Sequence, residues 1–537
     1  MMDVQLNIST MIERAEKYFP KKTVVSRTSS GVQTFSYQEI GRRTRQLSSV
    51  LARLGVEKGD RVGTLAWNHH RHLESYFAIP GIGAVLHTIN IRLSQEHITY
   101  IVNHAKDKVL LIDEDILPLI EAVKNQIPSV KAFIVMCDGK KPESSLEPLY
   151  SYEELIAEGD PNFEFVKDLN EHEPAGICYT SATTGNPKGV VYSHRAIVLH
   201  SMAMGLADTG ALSESDVCLP VVPMFHVNAW GLPFTATWFG STQVLPGPQF
   251  TPKRLAELIH DYRVTLAAGV PTIWLGLLKE LETGEYDTSS LRAVLCGGSA
   301  APEGMIKAFE VKYKIPFLHA YGMTETSPLV TVSRLKSYQS KLDQEEQLKV
   351  RAKQGLVVPG LETKVVGEHG EVSWDGKEMG ELLIRGPWIA DEYYHDERSR
   401  DAFVDGWLHT GDVATVDEEG IIKLVDRTKD LVKSGGEWIS SVDLENALMA
   451  HNDVFEACVV AIPHPEWQER PVAFVVLHPG CSTTKEDLLE FLKPQFAKWW
   501  LPDEVIFIEE VPKTSVGKFL KREVREKYKG LFTANEC

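Results

Sequence analysis

Between about residue 35 and residue 430 the chain alternates short apolar, β-branched runs with helix-length segments, and few architectures accept that rhythm. The runs DRVGTLAW, KVLLID, KAFIVM, AGICYT, VCLPVVP, VTLAAGVP and LRAVLCGG carry too little polarity for a strand with one wet face. Strands buried on both faces belong to mostly parallel sheets covered by crossover helices. YQEIGRRTRQLSSVLARLGV supplies such a helix, apolar at three- and four-residue intervals and stopping near Gly55. The expected class is α/β, with a large N-terminal domain of mostly parallel, helix-covered sheets. After about residue 355 the runs shorten to LETKVVGEHGEVSW, GELLIRG and GIIKLVDR, which predicts a small β-rich subdomain.

From about residue 431 a second rhythm begins. Helix SSVDLENALMAH, strands ACVVAIP and PVAFVVLHP, helix TKEDLLEFLKPQF, strand VIFIEEVP and helix LKREVREKYK predict a compact C-terminal α+β domain. Two or three strands and three helices are expected in it. The boundary falls in DRTKDLVKSGG, giving a large domain over 1–427, a hinge over 428–433 and a small domain over 434–537.

A chain of 537 residues is too long for one core, and 43% hydrophobic content excludes general disorder. A net charge of −18 argues against nucleic acid as a partner. The seven cysteines are scattered and form no C-x-x-C pair, so neither a disulfide framework nor a zinc site is expected. The N-terminus lacks a basic region followed by an apolar run, and no apolar run reaches the roughly 18 residues of a bilayer span. These features predict a soluble, cytoplasmic protein.

Three local patterns mislead. GIGAVL at Gly81 has Leu86 where a dinucleotide loop needs its third glycine, so helix packing is expected there. GGSAA at Gly297 ends in Ala301 and departs from a serine-hydrolase elbow. His69, His70 and His72 lack a carboxylate or cysteine at ligand spacing and read as surface or satisfied histidines. YTSATTGNPKGVVYSHR, from Tyr179 to Arg195, is a different matter. Its spacing is not that of a Walker loop, yet Thr180, Ser181, Thr183, Thr184, Gly185, Lys188 and Gly189 combine hydroxyls, close-approach glycines and a cation, all suited to phosphate. Taken alone it reads equally well as a polar turn.

Four further segments decide the matter. YGMTETSP, GWLHTGDV, DRTKD and PKTSVGK follow the Ser/Thr/Gly loop in order. Together these motifs resemble the adenylate-forming superfamily of acyl-CoA synthetases, luciferases and amino-acid-adenylating domains, over nearly the whole chain. VVPMFHVNAWGLP, GGSAAP and KSGGEWISSVDLENAL resemble bacterial medium- and long-chain fatty acyl-CoA synthetases within it. The resemblance implies ATP and Mg²⁺ with CoA as second substrate, and a mobile C-terminal domain. Thr180 to Gly189 would wrap the β- and γ-phosphates, Glu325 and Thr180 would hold Mg²⁺, and Thr324 would meet the α-phosphate. Gly298, Ser299 and Ala300, with His319, Ala320, Tyr321 and Gly322, would line the adenine. Asp412 and Arg427 would hold the ribose. Lys518 would serve adenylation. After rotation about Lys429, the face carrying Lys433, Gly435, Gly436 and Trp438 would shape the pantetheine tunnel. Many relatives have glycine where this chain has Ala182.

In the expected acyl pocket His226 would sit near the carboxylate, and Trp230 beside Gly231 would gate the tail. No Asp or Glu occurs from Pro223 to Trp238, which favours an uncharged acyl tail. The expected function is fatty acid–CoA ligase. A ligase for a short, sulfur-containing or aromatic acid and a non-enzymatic nucleotide-binding protein are the rivals. Self-association to a homodimer is left open. Finally, Lys513, Lys518, Lys521, Arg522, Arg525, Lys527 and Lys529 outnumber Glu523 and Glu526, so the tail reads equally as a solvated helix or as a lure for anionic substrates.

Overall fold

The computed structural model describes residues 2–180, 185–248, 250–435, 437–513 and 519–532. Two large sheets carry the N-terminal part. One has seven strands, ordered Leu149–Ser151, Ala132–Met136, Asp107–Asp113, Arg61–Leu65, Val85–Thr88, Pro174–Tyr179 and Gly189–Ser193. Its pairings are parallel except the last, where Pro174–Tyr179 turns back on Gly189–Ser193. The other has nine strands and a parallel centre, Phe317–Gly322, Ala293–Cys296, Leu266–Gly269, Val217–Pro220, Thr242–Leu245 and Thr23–Thr28. Antiparallel strands close both edges, Gly31–Ser36 on one side and Leu329–Val332 with Leu356–Val357 on the other. Ala293–Cys296 and Leu266–Gly269 are buried along their whole length, as strands covered on both faces must be.

Helix Tyr37–Arg53 begins at a reciprocal cap: Ser36 Oγ accepts from Glu39 N at 3.2 Å, and Ser36 N donates to the Glu39 carboxylate at 2.8 Å. Ile40, Thr44, Leu47, Ser48 and Leu51 form its buried stripe, and Gly55 follows at φ +81°. Gly81 closes helix His70–Gly81, where an added Cβ would stand 2.6 Å from the Phe165 ring; close packing explains that glycine. The histidine cluster is buried and each ring has a polar partner, although His70 Nε2 has no hydrogen bond and stands 3.9 Å from Glu153. His69 Nε2 meets Asp113 at 2.7 Å, His70 Nδ1 meets Ser26 Oγ at 2.8 Å and His72 Nε2 meets Thr64 Oγ1 at 3.0 Å.

The β-rich region is a six-stranded antiparallel sheet, with Trp407–Val416 at its centre and Ile422–Arg427 paired to it. The C-terminal sheet has five strands rather than the expected two or three. The additional ones, Val432–Ser434 and Glu437–Ile439, are three residues each and too short for a periodic signal. The basic tail is not simply solvated. Lys521 is buried against Glu445 at 2.8 Å and Ser441 at 2.5 Å, Arg525 meets Asp430 at 3.1 Å and Lys513 meets Glu456 at 2.6 Å. Ser441 N donates to Asp426 at 2.8 Å, so this buried network reaches the last strand of the six-stranded sheet.

Candidate active site

The Ser/Thr/Gly loop leaves strand Pro174–Tyr179 and returns in strand Gly189–Ser193. Two hydrogen bonds close its neck: Thr180 N donates to Lys188 O at 2.9 Å, and Lys188 N donates to Thr180 Oγ1 at 3.1 Å. Gly185 has φ +70°, which favours glycine. Ser181, Ala182, Thr183 and Thr184 lie outside the described residues.

Opposite the neck stands Tyr321–Pro328. Gly322 permits the tight return of this segment, since an added Cβ would stand 1.9 Å from Pro328 O. Thr324 is buried, and its carbonyl accepts from Tyr192 Oη at 2.8 Å. Glu325 is 4% exposed. Tyr393 Oη donates to Glu325 Oε1 at 2.7 Å and accepts from Lys188 Nζ at 2.7 Å. Lys188 Nζ and Glu325 Oε1 themselves stand 3.6 Å apart. Burial lowers the pKa of Lys188 and the neighbouring Glu325 raises it, with burial the larger effect.

Tyr321 links this segment to the six-stranded sheet. Its hydroxyl donates to Asp412 Oδ2 at 2.6 Å, while Arg427 Nε meets Asp412 Oδ1 at 3.1 Å across paired strands. Asp412 is 5% exposed. His319 is buried with Nδ1 3.0 Å from Ala352 O, and burial depresses its pKa. Ala320 shares its strand, which pairs with Ala293–Cys296, and Gly297, Gly298, Ser299 and Ala300 follow that neighbour.

Trp230 lies against this corner, with its indole 3.3 Å from where a Gly297 Cβ would be. It belongs to an unusual stretch. Val227, Asn228, Ala229, Trp230 and Gly231 have φ of 44°, 53°, 48°, 58° and 72°, one turn of left-handed helix directly after the half-buried His226. Such a conformation costs L residues about 1–2 kcal/mol each, so tertiary anchors must hold it. Met224 N donates to Asn68 Oδ1 at 2.7 Å on the approach, and Thr88 Oγ1 donates to Asn228 Oδ1 at 3.2 Å within the turn. Gly231 is required as well: a Cβ would stand 2.8 Å from the His200 ring.

The remaining expected site residues lie in or beyond the linking segment. Lys429 is exposed, two residues after Arg427. Lys433 is exposed and its N–H donates to Glu469 at 2.9 Å; Gly435 has φ +61° beneath the Trp467 ring. Trp438 packs beside Val413, Val425 and Leu431. Gly436 and Lys518 lie outside the described residues. Sequence reasoning missed Tyr393, Tyr192 and Asn228; Tyr393 sits in DEYYHDER, which carries no chemical signature of its own.

Among the described residues no three His, Cys, Asp or Glu side chains converge on a metal position. A carboxylate such as Glu325 with lone pairs to spare fits Mg²⁺, which usually takes one or two carboxylates and completes its shell with water and substrate phosphates.

Residues 12–394 match the family described as AMP-binding enzyme, and residues 443–518 match the AMP-binding enzyme C-terminal domain. This chain belongs to the AMP-binding enzyme family. A long-chain-fatty-acid–CoA ligase of Thermus thermophilus is 52% identical to this AMP-binding enzyme, over 99% of the chain and 97% of the relative. A medium-chain-fatty-acid–CoA ligase of Ectopseudomonas oleovorans is 44% identical over 98% of the chain and 97% of the relative. Among solved structures, an anthranilate CoA ligase in complex with anthranoyl-AMP superimposes with a TM-score of 0.88 at 25% identity, covering 99% of each chain. The two-part architecture is therefore that of adenylate-forming enzymes, which use ATP, Mg²⁺ and CoA.

Proposed function

We propose that this enzyme activates a fatty acid with ATP to an acyl-adenylate, releasing pyrophosphate, and then transfers the acyl group to the CoA thiol, giving acyl-CoA and AMP. The observation that carries the acid class is the segment Pro223–Trp238. It holds no Asp or Glu, and Phe225, Val227, Ala229, Trp230, Leu232, Phe234 and Ala236 are buried along it, beside His226 and Gly297. A charged or strongly polar tail in such surroundings would forfeit its hydration without compensation. The long- and medium-chain ligase relatives point the same way.

A carboxylate attacking a polyanion needs positive charge and donors where negative charge builds. In this reading Thr180, Ser181, Thr183, Thr184, Gly185 and Lys188 hold the outer phosphates, and Thr324 faces the α-phosphate. Glu325, with Thr180, holds Mg²⁺, which neutralises phosphate charge when bound. Gly298–Ala300 and His319–Gly322 border the adenine, Asp412 and Arg427 take the ribose hydroxyls, and His226 orients the acid with Trp230 and Gly231 at the tail. The domains divide as 1–427 and 434–537, with Lys429 in the hinge between them. Lys518 serves the first half-reaction; Lys433, Gly435, Gly436 and Trp438 serve the second after rotation. The reaction runs in the cytoplasm: the described cysteines are all free thiols, as a reducing compartment keeps them. No helix among the described residues is long and apolar enough to cross a membrane.

A coupled pyrophosphate-release assay over fatty, short, sulfur-containing and aromatic acids, with and without CoA, tests the reading. Fatty acids should give the highest kcat/KM, with CoA-dependent thioester. Preference for a short or aromatic acid would overturn the acid class, and nucleotide binding without pyrophosphate release would overturn the activity.

A further inference from the structure

The segment Gly386–Arg400 crosses the nucleotide-facing loops as a strap. Ala390 N donates to Glu325 O at 2.9 Å, Tyr394 N donates to Gly189 O at 2.8 Å and Arg398 donates to Asn186 O at 3.1 Å. It thus grips both the loop that carries Lys188 and the segment that carries Glu325. At its centre Tyr393 is 3% exposed, its ring set edge-on to Phe403 with centroids 5.1 Å apart, so the phenol has a fixed position.

Lys188 and Glu325 are opposite charges in a partly desolvated site, where attraction is stronger than in water. Left alone they would close into a direct ion pair, and each would be lost to its ligand: the lysine to phosphate, the carboxylate to a cation. The phenol oxygen bridges them from one side, at the apex of a triangle whose long edge is the Lys188–Glu325 contact. It accepts from the ammonium and donates to the carboxylate, each at 2.7 Å, so both charges are satisfied while their separation stays at 3.6 Å. Two ammonium protons and most of the carboxylate lone pairs remain for substrate.

We infer that Tyr393 is a positioning residue whose hydroxyl acts as a spacer, keeping Lys188 and Glu325 from neutralising each other so that both can engage a cation-bound nucleoside triphosphate. This rests on the reading of Glu325 as the cation's carboxylate. The probe is a non-hydrolysable ATP analogue, its binding to the full-length chain followed by calorimetry across a Mg²⁺ titration, which needs no turnover. Tyr393→Phe keeps the ring and removes the spacer. Its apparent Mg²⁺ affinity should fall about tenfold, as for loss of other outer-shell partners of a ligating carboxylate. In a Lys188→Met background no cation remains to be held apart, and the same substitution should change Mg²⁺ affinity less than about twofold.

Nucleotide binding that is independent of Mg²⁺ in the parent protein overturns the reading of Glu325, and the spacer with it. Mg²⁺-dependent binding left unchanged by Tyr393→Phe overturns the spacer alone. An equal loss in both backgrounds shows that Tyr393 acts on Glu325 without regard to Lys188, which also overturns it. Melting curves verify that each variant folds. Tyr393→Gln, which can donate and accept, and Tyr393→Met, which can do neither, form a second pair read in the same way; equal Mg²⁺ requirements in that pair overturn the inference.

Discussion

Asp412→Asn isolates one charge in the nucleotide site with little change of shape. The native carboxylate is 5% exposed, accepts from Tyr321 at 2.6 Å and pairs with Arg427 at 3.1 Å. An asparagine oxygen can still accept from Tyr321, so the fold should survive. In the proposed role, what disappears is the charged acceptor for the ribose. A hydrogen bond to a charged group contributes about 1.5–3 kcal/mol, roughly 1 kcal/mol more than a neutral one. If Asp412 takes both ribose hydroxyls, the expected loss is about 2 kcal/mol, or roughly 30-fold in affinity. The ribose does not react, so its contacts are the same before and during the transition state, and their loss should raise KM rather than lower kcat. Initial rates of pyrophosphate release against ATP concentration, at saturating fatty acid, should therefore show the KM for ATP up about 30-fold with kcat within about threefold. Binding of AMP by calorimetry should weaken by a similar factor. An unchanged KM for ATP, in a variant with a normal melting curve, would refute the assignment of Asp412 to the ribose.

Other substitutions separate the half-reactions. Lys518→Ala should slow adenylate formation by orders of magnitude while sparing thioester formation from preformed acyl-adenylate, because only the first step is an attack at the α-phosphorus, whereas the second is an attack at the acyl carbon; equal losses in both steps would sink the role. Glu325→Gln should raise the Mg²⁺ requirement sharply, since a hard cation binds an amide oxygen less well than a carboxylate, and a metal titration of turnover checks it. Lys429→Pro should leave the pyrophosphate burst largely intact and suppress acyl-CoA formation, because proline fixes φ near −65° where rotation needs a free dihedral. A normal thioester rate in that variant would place the hinge elsewhere or remove the need for one.

Parallel strands such as Leu266–Gly269 and Ala293–Cys296 were legible because they are buried on both faces and apolar, whereas Thr23–Thr28, Val85–Thr88, Thr242–Leu245 and Phe317–Gly322, short or carrying polar residues, were not read. Helix Tyr37–Arg53 was legible from both its stripe and its cap. The order of the five motifs marked the family. What escaped is what depends on partners far along the chain. Tyr393 is anonymous until Glu325, 68 positions earlier, lies beside it. His69 finds its carboxylate in Asp113, 44 positions on. The left-handed turn at Val227–Gly231 contains residues that ordinarily avoid positive φ, and its handedness is imposed by contacts such as Thr88 to Asn228. Lys521 belongs to a tail that reads equally as solvated or as a lure for anions, and only tertiary packing reveals the buried Glu445 opposite it.

The place of strand Thr23–Thr28 has a consequence for biosynthesis. It lies in the nine-stranded sheet between its own hairpin partner and Thr242–Leu245, with Val24 opposite Gln243. At roughly 5–20 residues per second, on the order of 10–40 s separate the emergence of these two strands from a ribosome. Throughout that interval the Thr23–Ser36 segment can pair only within itself and lacks its long-range neighbour, so its edge is open to pairing with another chain. Contacts of such sequence separation also form slowly, because the loop must close before any pairing stabilises it. The hairpin therefore cannot complete its sheet until the Thr242–Leu245 strand has been made. Chaperone demand and aggregation during expression should concentrate in that interval.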